Sequence, residues 1–139
     1  MRILCVDPGE KRIGIAISDE TGTIARPLTI IAHVNRQTDA ATIAKLAVEN
    51  EVDLILVGQT IDFDGKPNLS GRRAARLAGE IHSQSDIPIQ LWDESYSTQD
   101  AKRVPEELGV RRKKSSEPLD DYAAAIILQS YLDAHENTT

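Results

Sequence analysis

The chain has 139 residues, the length of one ordinary domain, and at that size a core forms without disulfides or a structural metal. Hydrophobic residues make up 40% and charged residues 27%, too apolar for disorder. No apolar run approaches the roughly 18 residues needed to cross a bilayer. The 22 acidic and 16 basic residues give a formal net charge of -6, which argues against binding nucleic acid by bulk charge. Cys5 is the lone cysteine, so no intrachain disulfide exists, and the short apolar run after Arg2 is too brief for a signal peptide. A cytoplasmic protein with no membrane partner is expected, built as a single domain over 1–139.

In chain order, Ile3 to Val6 is a continuous apolar run ending in Asp7-Pro8-Gly9, and reads as a strand buried on both faces. Ile13 to Ser18 alternates large and small with period two, a second strand. A turn around Gly22 leads to a third, Ile24 to Ile31, in which Pro27 fits only at an edge or a bulge. Short turns between these strands make an antiparallel meander. The period then changes. Thr38 can cap a helix with Ala40, Ile43, Ala44 and Ala47 on one face. Leu54 to Val57 is another buried run, followed by a polar loop holding Asp64-Gly65. A helix from about Ser70 carries Ala74, Leu77, Ala78 and Ile81 on one side. Ile87 to Trp92 is the last strand and runs into Asp93-Glu94. Ser97 with Asp100 makes a capping box for a helix stopping near Pro105. The final helix, entered through Ser116 and Pro118, presents Ala123, Ala124, Ile127, Leu128 and Tyr131 together. Strands alternating with helices in the second half imply parallel crossovers, so the expectation is an α/β mixed five-stranded sheet flanked by helices.

Asp7 ends the first strand, Glu94 follows the last, and Asp120 lies near the start of the final helix. In open sheets, ligands bind beyond the carboxyl ends of the strands. Clustered carboxylates stay ionised together when a cation sits among them, and oxygen donors without histidine or cysteine suit Mg²⁺ or Mn²⁺. Two such ions about 3.5–4 Å apart activate a water and stabilise the leaving oxygen in phosphodiester cleavage. The spacing alone leaves other roles open: Asp7 as a turn cap, Asp120 as an acid at a helix N-terminus.

The stretch from Asp7-Pro8-Gly9-Glu10-Lys11-Arg12 through Ile13-Gly14-Ile15-Ala16-Ile17-Ser18-Asp19 resembles the opening motif of the bacterial YqgF family. The resemblance continues through Val57-Gly58 with Asp64-Gly65, then Asp93-Glu94-Ser95-Tyr96-Ser97-Thr98 and Ala101. It closes with Leu119-Asp120-Asp121-Tyr122-Ala123-Ala124 running into Ile127 to Leu132. The family comprises ribonuclease H-like nucleases, called Holliday junction resolvase-like and implicated in maturing the 5′ end of 16S ribosomal RNA. The resemblance implies a ribonuclease H-like fold, with Asp7, Glu94 and Asp120 as catalytic, metal-binding carboxylates. It also places Lys11 and Arg12 as a basic pair beside the site. Two positions depart from the family pattern: Ser95 stands where arginine usually follows the Asp-Glu pair, and Thr60 where proline is usual. A phosphate contact made by that arginine is lost or moved here.

The substrate expected is pre-rRNA or branched DNA, contacted by Lys11, Arg12, Arg72, Arg73, Thr98 and the run Arg111, Arg112, Lys113 and Lys114. That run is equally readable as a solvated loop. Asp121 points about 100° away from Asp120 on a helix, so Asp120 is preferred as the ligand. Asp93 reads as a strand-end residue, His33, His82 and His135 as surface residues, and Cys5 as a core residue. Ribosomal association and a monomer or weak homodimer complete the expectation. Two competing functions are a non-catalytic nucleic-acid-binding accessory domain and a sugar-kinase-like phosphotransferase. The latter needs two such domains, and 139 residues are too few.

Overall fold

In the computed structural model, residues 1–59, 69–93 and 117–136 are described, apart from the side chains of residues 70, 117–122 and 136. The elements in chain order are β1 (Ile3–Pro8), β2 (Arg12–Ser18), β3 (Ala25–Ala32), α1 (Arg36–Glu49), β4 (Leu54–Gln59), α2 (Leu69–Gln84), β5 (Ile89–Asp93) and α3 (Glu117–Glu136). The strands form one sheet in the order β3-β2-β1-β4-β5. β1 pairs antiparallel with β2 and parallel with β4, and β5 runs parallel to β4. The meander-plus-parallel arrangement expected from the sequence is therefore the one adopted, with β1 in the centre. The expected helix over Ser97 to Pro105 and the Asp64-Gly65 loop lie outside the described residues.

Burial on both faces explains the continuous apolar run of β1. Leu4 and Val6 pack into a cluster with α1 and α2, whereas Ile3 and Cys5 face α3. β2 uses its alternation differently. Ile13, Ile15 and Ile17 join the α1–α2 side, while Ala16 lies among the α3 residues. Small side chains on that face let α3 approach closely, with Ala124, Ala125, Ile127, Leu128, Tyr131 and Leu132 buried against the sheet. Each large apolar side chain buried this way contributes about 1.5–3 kcal/mol.

Pro27 sits on the edge strand β3, where the register with β2 steps from Ile15↔Thr29 to Ala16↔Pro27, leaving Leu28 as the extra residue of a bulge. Two details differ from the sequence reading. The cap of α1 is Asn35 rather than Thr38: the Asn35 side chain accepts from the Thr38 N–H at 2.8 Å, so Thr38 lies inside the first turn. The last strand begins at Ile89, because Pro88 has no N–H for the ladder and offers only its carbonyl, to Ile55.

A charged edge of the sheet as candidate nucleic-acid site

β1, β3, β4 and β5 all end at one edge of the sheet, and α1 and α2 both begin there. Asp7 lies next to last in β1, half-buried, opposite Gly14 of β2. One step past the Val6↔Val57 pair, Asp7 is level with Gly58, which pairs with Trp92 of β5. Alternation puts Asp7 on the face of Ile3 and Cys5, the face α3 covers.

α3 runs antiparallel to β1. Tyr131, Leu132 and His135, from its last turns, border a cavity shared with Met1, Ile3 and Gly22 at the opposite edge. Its first turn is therefore carried to the Asp7 edge: eleven residues of helix, from 120 to 131, span about 16 Å. Position 120 also falls three turns before Tyr131, within about 20° of the same line on the helix. That line faces β5, since Tyr131 donates from its hydroxyl to Gln90 Oε1 at 3.3 Å and meets Trp92 edge-on at 5.1 Å. Burial pushes the Tyr131 phenol pKa up. Position 121 lies about 100° further round, midway between the line of Tyr131 and that of Gln129, whose amide bonds Ala25 and Thr23 on the β3 side.

The expected site residues are distributed as follows. Asp7 stands on the central strand, and the backbone of position 120 is brought to the same edge. Glu94 follows Asp93 in the chain and, with Thr98 and the run Arg111 to Lys114, lies outside the described residues. Lys11 is exposed in the turn after β1 and Arg12 at the first position of β2, and the Lys11 carbonyl accepts from the His33 N–H at 2.9 Å. Arg72 and Arg76 are exposed on α2, and Arg73 reaches Glu10 at 3.9 Å. Among the described residues no group of three His, Cys, Asp or Glu side chains converges as a metal site.

Sequence reasoning left open whether the basic groups share a face. Lys11, Arg12, Arg36, Arg72, Arg73 and Arg76 all lie along the Asp7 edge or on helix turns beginning there, with Glu10 as their exposed acidic neighbour. The opposite edge carries Glu20, Glu49, Glu51, Asp53, Asp86 and Asp133, all exposed. Among the described residues, exposed acids outnumber Arg2 and Arg26 at that opposite edge, whereas exposed cations outnumber acids at the Asp7 edge. Arg36 and the His33–Asp39 pair were missed by sequence reasoning. The available signal was a cation placed straight after a capping asparagine, where the helix dipole disfavours it.

The turn between β1 and β2 is shaped by Gly9, where a Cβ would collide with the Arg12 carbonyl oxygen. This close approach folds Lys11 and Arg12 back beside the end of β1.

A central β1 flanked by the β2–β3 meander on one side and parallel β4–β5 on the other is the ribonuclease H-like arrangement. The RuvC of T. thermophilus, solved in complex with a Holliday junction substrate, has the same fold: TM-score 0.63 at 15% identity, covering 99% of this chain and 97% of that one. The fowlpox virus Holliday junction resolvase matches at TM-score 0.53 and 16% identity over 96% of this chain and 99% of that one. The sequence profile of the RuvX family, described as Holliday junction resolvase, matches residues 1–134. The chain belongs to this family, which is the YqgF family of the motif resemblance. Two relatives carry the name "Putative pre-16S rRNA nuclease". The protein from Thermoanaerobacter pseudethanolicus is 40% identical over 138 residues, 99% of each chain. That from Syntrophus aciditrophicus is 37% identical over 134 residues, 96% of this chain and 89% of the other.

Proposed function

We propose that this chain is a metal-dependent endonuclease that hydrolyses phosphodiester bonds in structured nucleic acid and processes the 5′ end of pre-16S ribosomal RNA. Residues 1–139 act as one nuclease domain. The observation that carries the reading is the convergence of three chain segments on one edge: the Asp7 end of β1, the end of β5 that leads into Glu94, and the first turn of α3 with Asp120. Full-length relatives bearing the pre-16S rRNA nuclease name support that substrate.

Asp7, Glu94 and Asp120 would hold Mg²⁺ or Mn²⁺. The donor chemistry fits: Asp7 is a hard oxygen donor, His33 at the same edge is engaged with Asp39, and His135 lies at the opposite edge. When bound, the metal supplies an activated water and stabilisation of the leaving oxygen. The chain's own contribution is placement. The β1–β2 ladder fixes Asp7 opposite Gly14, and the Gly9 turn sets Lys11 and Arg12 beside it to contact flanking phosphates. Phosphate contacts from Arg72, Arg73, Thr98 and the Arg111 to Lys114 run extend the same grip, and association with pre-ribosomal particles follows from the substrate.

The family description favours a second reading, resolution of four-way DNA junctions. The test is cleavage of a labelled 16S precursor carrying its 5′ leader, beside a four-way DNA junction, each with Mg²⁺ and with Mn²⁺. Cutting at the 5′ boundary of the RNA, lost in Asp7→Asn, is the expected outcome. Cutting of the junction alone replaces the RNA assignment. Binding without cutting of either leaves the accessory-domain reading.

A further inference from the structure

On the sheet face opposite α3, at the same edge as Asp7, lies an open groove of about 360 Å³. Pro8 and Gly9 form one wall and Ile13 and Leu77 its floor, while Arg36, Arg73 and Arg76 project along the α1 and α2 sides. Its volume is at the lower end of the range for small-molecule pockets, about 300–1,000 Å³. That is room for a phosphodiester and its sugar.

Arg36 stands where the helix dipole disfavours a cation. Arg36 is the first residue of α1, and Arg73 and Arg76 fall in the first two turns of α2, which has no acid in its first turn. A helix N-terminus carries positive partial charge, so a cation in the first turn is disfavoured, an effect that fades beyond that turn. Arg36 at the start of α1 and Arg73 and Arg76 early in α2 meet at one groove. Among the described residues no carboxylate lies within ion-pair distance of Arg36 or Arg76, and Arg73 has only the 3.9 Å contact with exposed Glu10.

Asp39, the carboxylate inside the groove, is only 3% exposed and is already used. Its Oδ1 accepts from the Val34 N–H at 3.0 Å and its Oδ2 is 2.5 Å from His33 Nδ1. Val34 and Leu69 on the rim are 63% and 65% exposed, apolar surface suited to lie against a sugar or a base.

We propose that this groove binds a backbone phosphate of the substrate strand adjacent to the scissile one, held by Arg36 and Arg76 with Arg73 in support. The proposal rests on the nuclease reading for the identity of the strand. Consecutive residues of β1 connect the two places: Asp7 faces α3 and the cut, while Pro8 borders the groove on the other face. A single strand crossing the end of β1 touches both. The contact positions substrate and takes no part in the bond-breaking step.

The test uses fluorescence anisotropy of labelled single-stranded oligoribonucleotides of stepped length, in EDTA across a salt series. The full chain is compared with the double variants R36S/R76S and R36K/R76K, after circular dichroism and melting show both folded. The Ser pair is expected to make the log–log salt slope shallower by about 1.4, two single-strand phosphate contacts, while the Lys pair keeps the parent slope. The parent should gain affinity as the strand extends past the length that fills the Asp7 edge, and the Ser pair should not. An unchanged slope and length dependence in the Ser pair overturns the proposal. So does a mononucleotide that binds the parent as tightly as the longer strands, because the groove would then hold a free nucleotide. Cleavage assays separate this from the parent reading: a chain that binds with the predicted slopes but cuts nothing removes the nuclease and leaves the groove.

Discussion

His33 Nδ1 meets Asp39 Oδ2 at 2.5 Å, joining the exposed end of β3 to a carboxylate buried in the first turn of α1. The Val34 N–H donates to the other oxygen of Asp39 at 3.0 Å, so one side chain fixes the whole β3–α1 connection. Asp39→Ala removes both bonds, each made to a buried carboxylate, and leaves the Val34 N–H to water. A loss of about 2–3 kcal/mol in urea unfolding is expected. His33→Ala should cost less, since its ring is partly solvated, and a double-mutant cycle should show coupling of about 0.5 kcal/mol or more.

Gly9→Ala tests the turn that follows Asp7. The added Cβ meets backbone at Arg12, which cannot rotate away as a side chain would. The turn must open, with an expected stability loss of about 1–3 kcal/mol. A larger fractional fall in kcat than in the folded population, measured below the melting temperature, would tie the turn to catalysis.

Asp7→Asn keeps the shape of the side chain and removes its charge. Cleavage should fall by at least about 100-fold, because a metal held by Asp7 as proposed would supply several kcal/mol of transition-state stabilisation. Melting temperature should change little. Ca²⁺ should support binding of the substrate but little cutting, as its looser coordination places water and leaving oxygen less well. Trp92, the one tryptophan, lies two residues before Glu94 and gives a fluorescence signal for metal titration.

Asp19 gives a prediction about acid stability. Its carboxylate accepts from the Thr21 hydroxyl at 2.6 Å, the Thr23 N–H at 2.8 Å and the Ile24 N–H at 3.2 Å, which lower its pKa from 3.8 to about 2. A carboxylate with a depressed folded-state pKa stabilises the fold above its unfolded value. That stabilisation is lost as pH falls from about 4 toward 2. Asp19→Asn should therefore lose less stability than the parent across that interval, read by urea unfolding at stepped pH.

Cys5 is 0% exposed beneath α3. Its thiol should react with a thiol reagent only on unfolding, at a rate unchanged by reagent concentration once opening limits the reaction. Leu128→Ala, in the same cluster, should cost about 2–5 kcal/mol and speed that reaction.

Strand identity and order were legible because burial dictates composition: β1 and β4 open with unbroken runs of four apolar residues, and the Ile–small alternation of β2 records two unlike faces. The position of Pro27 disclosed an edge with a bulge. Helix starts were less legible, since Asn35 and Thr38 are both good caps and only the backbone shows which side chain accepts. The sequence put forward Asp7, Glu94 and Asp120 through motif and position, and of these Asp7 alone has its side chain among the described residues. It could not pair His33 with Asp39 or bring Arg36 to Arg76, because those contacts join segments set by the packing of α1 on α2.

The separation of charge along the sheet bears on how an acidic protein meets an acidic polymer. A six-residue strand such as β1 spans about 20 Å, while screening at physiological ionic strength acts over about 8 Å. A nucleic-acid strand drawn against the Asp7 edge therefore lies more than two screening lengths from Glu20, Glu51 and Asp53, and the arginines and lysine of that edge act on it beside the edge's own carboxylates. At longer range in dilute buffer, the two ends act as a dipole that turns the molecule during approach, so encounters begin edge-first. Raising salt should slow association by weakening this orientation, even though the protein's net charge is repulsive.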